Sequence, residues 1–255
     1  MNPRCTGAIP FYEELALAGV HTAPLRPGGL GLTERAISLC LFSEDSRLLD
    51  LGCGNGATVE HLASQWGLTA VGLDPSPLLL GYGTRRGKGL PYVRAVGEHL
   101  PFRGGMWDGI LLECVLSVAG DANAVIAECA RVLKVGGHLI ITDVYLRAAW
   151  DTRAPENIPA DCCLAGALER TELESSLNGC GFTTVLWEDH SKALKEFAAE
   201  LILAGIQLNM ARFSPPGKDR ARASRTVSPA VPMPGKPGYF LLVARLGGRR
   251  DAEAL

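Results

Sequence analysis

The sequence predicts an α/β fold, a parallel sheet of seven strands with helices on both faces. From residue 47 onward short apolar runs alternate with segments of helical period, as strands joined by crossover helices require. A glycine-dense turn, Asp50-Leu51-Gly52-Cys53-Gly54-Asn55-Gly56, joins the first apolar run to the first amphipathic segment. With 255 residues, 47% hydrophobic and 20% charged, the chain can bury a full core, which excludes a peptide hormone or a wholly disordered polymer.

The strands are expected at 47–51, 69–74, 92–96, 107–112, 138–143, 183–188 and 239–245. Between them Val59, Leu62, Ala63 and Trp66 recur on one helical face, and so do Val125, Ile126, Cys129, Val132 and Leu133. Thr171 with Glu174 three residues later reads as a capping box that opens a helix, and Gly179 as its left-handed end. Residues 192–211 read as a long amphipathic helix with Leu194, Phe197 and Leu201 on its apolar face. The stretch 214–236, with five basic residues and five prolines, reads as a mobile loop before the last strand. The expected organisation is one domain: a covering segment 1–45, a cofactor-binding core 46–145 and a substrate-side half 146–255.

Twenty-five Lys and Arg against 27 Asp and Glu give a net charge of −2, which offers no chain-wide attraction for nucleic acid or an anionic membrane. No run approaches the roughly 20 apolar residues of a bilayer-spanning helix, and the first fifteen residues lack the apolar stretch of a secretory signal, so a soluble, cytoplasmic protein is expected. The eight cysteines, at 5, 40, 53, 114, 129, 162, 163 and 180, lack CxxC spacing, which argues against a disulfide framework and a zinc knuckle. His61, His99 and His138 read as structural, His190 begins the variable substrate side, and no metal-spaced set stands out.

The glycine turn, at the carboxyl end of a strand, lets the backbone approach a ligand closely. Asp74 closes the next strand, where its carboxylate can accept from both hydroxyls of a ribose. Gly52, Gly54 and Ala57 also satisfy the G-x-G-x-x-G/A dinucleotide pattern, so the glycines alone do not choose between NAD and another adenosine cofactor. Asp50 suits a cationic amino group and would repel a pyrophosphate, which favours S-adenosyl-L-methionine.

The series LLDLGCGNG, VGLDPSP, GEHLPF, WDGILLECVL and ARVLKVGGHLIITDV resembles, in order and spacing over about residues 45–145, the motifs of class I S-adenosylmethionine-dependent methyltransferases. The resemblance implies a Rossmann-like seven-stranded sheet of order 3-2-1-4-5-7-6 with the last strand antiparallel. It places Asp50, Gly52 and Gly54 at the methionine end of the cofactor, with Cys53 counted in the same loop although its thiol reads as packing. It puts Asp74 at the ribose, Pro75 and Ser76 beside the adenine, and Gly97 and Glu98 at the adenine edge. Many relatives carry an Asp two residues before that Glu, where this chain has Val96 and a backbone amide would substitute. Glu113 and Cys114 fall beneath the sulfonium and substrate. The segment LRPGGLGLTERAI is similar to the piece that closes over the cofactor in many of these enzymes, with Arg26 reaching its carboxylate and Tyr12 shielding it; the other reading is a helix merely packed on the sheet.

A narrower resemblance, through CVLSVAGD, RVLKVGGHLIITDVY, Cys163-Leu164-Ala165-Gly166-Ala167-Leu168 and GCGF, is to arsenite methyltransferases, and it implies that Cys163 is a thiolate ligand of trivalent arsenic. Those enzymes draw another ligand from further down the chain, whereas no cysteine follows Cys180 here, and their upstream redox cysteine is replaced by Pro27-Gly28-Gly29. Cys162, adjacent to Cys163, is the candidate substitute, and the strand-end Cys114 is the third thiol of interest, because a soft centre needs two or three converging thiolates. The function expected is methylation of a small molecule, with a thiol-bound metalloid such as arsenite as the candidate acceptor. The alternatives are carbon or oxygen methylation of a quinone or other metabolite, which the core also resembles, and a non-catalytic cofactor-binding sensor or partner protein.

Overall fold

The computed structural model describes residues 11–17, 19, 24–148, 158–159, 162–203, 230–231 and 235–248. In chain order the elements are α1 (Phe11–Leu17), α2 (Gly29–Cys40), β1 (Arg47–Leu51), α3 (Ala57–Gln65), β2 (Thr69–Asp74), α4 (Pro77–Arg86), β3 (Tyr92–Arg94), β4 (Trp107–Glu113), α5 (Ala122–Val132), β5 (Leu133–Ala148), β6 (Ile158–Pro159), α6 (Arg170–Gly179), β7 (Phe182–Asp189), α7 (Ser191–Leu203), β8 (Ala230–Val231) and β9 (Lys236–Leu246).

Seven strands form one sheet in the order β3-β2-β1-β4-β5-β9-β7, which among these seven is 3-2-1-4-5-7-6. β1 to β5 pair in parallel, whereas β9, the last strand, is antiparallel to both β5 and β7. The period of two sorts β1 cleanly: Leu49 and Leu51 face one apolar layer and Leu48 the other. On the first face α5 lays Val125, Ile126, Cys129 and Val132, and α6 adds Leu173 and Leu177. On the second face α2 brings Ala36 and Ile37, and α3 brings Val59 and Leu62. Burial on both faces is what makes the central strands read as unbroken apolar runs.

Five local expectations are corrected. β3 ends at Arg94, and β5 starts at Leu133 and runs to Ala148, lengthened by its pairing with β9 as far as Lys236. Trp66 falls at the end of α3 and is exposed. α6 starts at Arg170 with Thr171 inside it, and no side chain caps it: Glu174 is taken by Arg170 at 2.9 Å and does not reach back. The left-handed residue after α6 is Gly181, φ 86°, because the Cys180 N–H still bonds back to Ser176 and carries the helix past Gly179. α7 begins as expected, while residues 204–211 lie outside the described residues. So does most of 214–236; its described parts are β8, paired with β6, Gly235, and Lys236 at the start of β9. Among the described residues no helix is long and apolar enough to cross a membrane.

A third apolar group sits at the carboxyl ends of the strands, where Phe11, Leu15 and Leu32 of the N-terminal helices pack on Cys114, Val144, Cys162, Cys163 and Tyr239. It places the N-terminal segment over the crevice of the sheet, next to the glycine turn.

Candidate cofactor and acceptor site

The turn between β1 and α3 is built by alternating left-handed glycines: Gly52, Gly54 and Gly56 have φ of 76°, 51° and 74°. A side chain at Gly52 would meet Val115 Cγ2 at 2.4 Å, and one at Gly56 would meet the Tyr92 hydroxyl at 2.4 Å, whereas one at Gly54 would meet nothing within 4 Å. Gly54 is therefore the point at which the loop faces open space. The N–H groups of Gly52 and Cys53 both donate to Leu73 O, at 2.7 and 3.0 Å, which pins the loop to the end of β2. Asp74 completes the tie, its Oδ2 accepting from Gly54 N at 2.9 Å and its Oδ1 from Ser76 N at 2.8 Å. Burial raises the Asp74 carboxyl, these two N–H groups oppose that, and Glu13 adds to the rise.

Beneath the loop lies a buried polar knot. Arg26 Nη2 reaches Glu113 Oε2 at 2.8 Å, Thr33 Oγ1 at 2.8 Å and Thr58 Oγ1 at 2.9 Å, and the two threonine hydroxyls donate in turn to Glu113. Four segments are thereby locked together: the strand end of β4, α2, α3 and the chain before α2. Two atoms of this region are left over, Arg26 Nε and Asp50 Oδ2, both buried and without a hydrogen-bond partner. Burial raises the Asp50 carboxyl well above the usual range, Glu113 and Asp74 push it further, and Arg26 pulls it back. An acceptor and a donor facing nothing at the base of a glycine turn suit the ammonium and carboxylate of an amino acid.

The second half of the site is a cluster of thiols. Cys163 lies within hydrogen-bond reach of Cys114, Cys162 and the Tyr12 hydroxyl. Donation from Cys114 and Cys162, and from Tyr12, pulls the Cys163 thiol well below its ordinary value against the opposing effect of burial, and Cys114 is pushed up in exchange. Cys114 Sγ lies 3.2 Å from the Tyr239 hydroxyl, which lies 3.2 Å from Thr142 Oγ1. Cys114 is itself left-handed, φ 58°, a conformation that costs a non-glycine residue about 1–2 kcal/mol. The turn Cys163–Gly166 is seated by Gly166, whose Cα approaches Ser117 so closely that a Cβ would fall 1.9 Å from Ser117 O. Ser117 is held by Asp143, which accepts from its hydroxyl at 2.5 Å and from its N–H at 3.1 Å. Among the described residues no group of three or more His, Cys, Asp or Glu is arranged to hold a metal ion. A separate cavity of about 610 Å³ lined by Arg47, Arg103, Met106 and Lys134 opens at the amino ends of the strands and takes no part in this site.

Residues 49–141 match the family model described as a methyltransferase domain. An uncharacterized methyltransferase of Synechocystis is 34% identical over 149 residues, which are 56% of this chain and 70% of that protein. The chain belongs to the class I S-adenosylmethionine-dependent methyltransferase family. An arsenite methyltransferase of Aquipseudomonas alcaligenes is 29% identical over 196 residues, 69% of this chain and 54% of that protein. The structure of the [4+2]-cyclase SpnF superposes with a TM-score of 0.70 at 22% identity, covering 92% of this chain and 93% of that one, a likeness of fold alone. The chain spans between about half and seven tenths of the length of these curated relatives.

S-adenosylmethionine is the cofactor of this methyltransferase family, and its amino acid and ribose ends fit the unpartnered Asp50 Oδ2 and Arg26 Nε and the Asp74 carboxylate, whose oxygens keep a second lone pair each. Ser76 caps α4 and its hydroxyl donates to Glu13 at 2.5 Å, while Pro75 O accepts from Arg94. Gly97 packs against Leu51 and Val125, and Glu98 is turned onto Gly120 N at 2.9 Å. Glu113 and Tyr12 are placed differently from expectation, whereas the Cys53 thiol packs as read. Arg26 spends its Nη2 on Glu113 and the threonines, leaving Nε for a ligand. Glu113 turns both oxygens into the knot. Tyr12 puts its hydroxyl on Cys163, and Cys53 sends its thiol into the core beside Gly72 and Tyr92. Thr33, Thr58, Glu13, Asp143 and Tyr239 were missed, because their partners lie far away in sequence and no local motif marks them.

Proposed function

We propose that the protein transfers a methyl group from S-adenosylmethionine to a small molecule whose accepting atom is a soft, thiol-bound centre such as trivalent arsenic. The observation that carries this reading is the convergence of Cys114 and Cys162 on Cys163, next to the end of β4 and under the N-terminal helix. Two thiolates give a soft centre both affinity and a fixed orientation. The likeness to an arsenite methyltransferase supports it, since that match extends over 196 residues.

When bound, the cofactor supplies a methyl carbon already activated by a sulfonium. The chain's own part is mainly alignment. Asp50 and the Gly52 to Gly54 turn hold the amino acid end, Asp74 orients the ribose, and Pro75, Ser76, Gly97 and Glu98 frame the base. Cys163, with Cys162 or Cys114, presents the acceptor. Phe11, Leu15 and Tyr239 exclude water there. A lone-pair acceptor carries no proton, so no general base is required of the site.

A second reading, carbon or oxygen methylation of a quinone or similar metabolite, is favoured by the apolar walls around the thiols, Leu32, Val144, Leu194 and Phe197. Isotope-labelled cofactor separates the two. With arsenite and free thiols the label should pass to arsenic, and Cys163→Ser and Cys162→Ser should each cut turnover by more than about tenfold with cofactor binding intact. Transfer to a quinol and none to arsenite would favour the second reading; cofactor binding with no transfer to any acceptor would leave a binding protein.

A further inference from the structure

Three glycines from three elements have one neighbour in common. A Cβ at Gly56 of the turn would meet the Tyr92 hydroxyl, with ring Cζ at 2.9 Å; one at Gly72 of β2 would meet ring Cδ1 at 2.7 Å; one at Gly83 of α4 would meet Cε1 and Cζ at 3.1 Å. Gly72 and Gly83 are poor local choices, since glycine weakens the interior of a strand or a helix, and in a strand it marks a close approach. The approaching group is the Tyr92 ring, which β3 brings opposite Gly72. The Cys53 thiol lies over the same spot, 2.8 Å from a Cβ at Gly72, and packs in the apolar layer that Tyr92 joins. The ring therefore props the turn at Cys53 and at Gly56, on either side of Gly54, the residue that faces open space. β3 has only three residues and lies at the sheet edge, but Arg94 at its end donates to Pro75 O at 3.3 Å and steadies it. The Tyr92 hydroxyl is buried without a hydrogen-bond partner, so the ring is held by shape and not by a bond.

We propose that Tyr92 is a positioning residue for the cofactor: its ring, seated where Gly56, Gly72 and Gly83 carry no side chain, sets the height of the Cys53–Gly56 turn above β2. That height decides where the Gly54 N–H meets Asp74 Oδ2, now 2.9 Å away, and so the shape of the opening offered to the amino acid and ribose ends of S-adenosylmethionine. Tyr92 acts through the turn and needs no contact with the ligand. The three glycines and the ring form one fitted set, in which a Cβ added to any glycine pushes the ring and a smaller residue at 92 lets the turn sink. The proposal rests on the cofactor and on no particular acceptor.

The test is calorimetric binding of S-adenosylhomocysteine, with urea unfolding of each protein measured alongside. Tyr92→Leu, apolar but without the flat ring, should weaken binding by about tenfold or more. Tyr92→Phe should bind as the wild type does and unfold at no lower urea concentration, since the hydroxyl it loses has no partner. Gly83→Ala should weaken binding by about threefold although alanine is the better helix former, because the new Cβ drives the ring toward Gly56. In the Tyr92→Leu background the same Gly83→Ala should strengthen binding, as the methyl fills part of the vacated space. Leu90→Ala, which thins the same apolar layer beside Gly87 and away from the turn, should lower the urea midpoint and leave binding unchanged. Normal binding by Tyr92→Leu, binding by Tyr92→Phe as weak as by Tyr92→Leu, Gly83→Ala effects that are equal in both backgrounds, or a loss in Leu90→Ala to match Tyr92→Leu would each overturn the proposal. Should Tyr92→Leu not fold, Gly83→Ala and Tyr92→Phe decide: unchanged binding by the first or weakened binding by the second overturns it. A wild type that bound no S-adenosylhomocysteine would overturn the cofactor site and the proposal together, whereas failure of the variants beside a binding wild type is failure of the proposal alone.

Discussion

Arg26 Nη2 lies 2.8 Å from Glu113 Oε2 with both side chains almost wholly buried, 9% and 3% exposed. The pair joins the chain before α2 to the end of β4, and Thr33 and Thr58 bond both Arg26 Nη2 and the Glu113 oxygens, leaving Arg26 Nε without a partner. A buried ion pair adds little over an apolar substitute, but losing one member strands the other charge. Arg26→Ala and Glu113→Gln are therefore each expected to cost about 3–5 kcal/mol in denaturant unfolding. A loss below about 1 kcal/mol would mean that the pair opens readily to water.

Cofactor binding should depend on Asp74 and Asp50 in different ways. Asp74→Ala removes an acceptor for ribose hydroxyls and a tie to Gly54, and should weaken S-adenosylmethionine and S-adenosylhomocysteine by roughly 1–3 kcal/mol in calorimetry. The Asp50 carboxyl is raised first by burial and then by Glu113, and the cofactor's ammonium favours its charged form, so binding should release a proton. Titrations in two buffers of different ionisation heat measure that release, and Asp50→Asn should abolish it. NAD, which brings no ammonium to pair with Asp50, should give no signal; binding of NAD in place of the sulfonium cofactor would overturn this account of the loop.

The parts of the site that could be read in the sequence are those whose partners are near in the chain. Gly52 to Gly56 and Asp74 sit at strand ends, where a turn of one geometry demands particular residues, and the sheet order followed from the motifs around them. The Arg26–Glu113 knot could not be read, because Thr33 meets Glu113 across 80 positions and each residue alone has an ordinary surface role. Cys114, Cys162 and Cys163 could be singled out by type, but not the Tyr12 contact, which depends on where α1 rests. The capping box failed for a local reason: Glu174 has a nearer partner in Arg170, which also stacks on Trp187 at 4.4 Å.

Asp143 is wholly buried within β5, and burial lifts its carboxyl to about 7 despite donation from Ser117 and Val144. Its ordinary unfolded value is about 3.9. Between these the folded chain binds the extra proton, so this group's contribution to stability is present below about pH 4 and is lost as pH rises to about 7. The full span corresponds to an upper bound of about 4 kcal/mol. Asp143→Asn, which keeps an acceptor and offers Ser117 a donor, should flatten that part of the stability profile in urea unfolding. An unchanged slope between pH 4 and 7, read as roughly the two limiting values, would show that Asp143 is ionised throughout.

Gly54 and Gly166 allow the two halves of the site to be perturbed separately. At Gly166 an added Cβ would fall 1.9 Å from Ser117 O, a backbone atom that Asp143 holds through the same residue, so the turn Cys163–Gly166 must move. Gly166→Ala should cost about 1–3 kcal/mol of stability and carry Cys163 away from Cys114 and Tyr12. Gly54 meets no neighbour within 4 Å, but its φ of 51° makes alanine unfavourable by about 1–2 kcal/mol, and the new methyl projects into the open face of the loop. The two variants should thus behave oppositely. Gly54→Ala should weaken cofactor binding by tenfold or more, as about 1.4 kcal/mol of lost contact would, and leave the titration of the Cys163 thiol, read by ultraviolet absorbance, unchanged. Gly166→Ala should raise the Cys163 midpoint and abolish transfer to an arsenite acceptor while calorimetry finds the cofactor bound as in the wild type. If both variants disturb both readouts equally, the loop and the thiol turn form a single rigid unit and the division of the site into a cofactor side and an acceptor side is wrong.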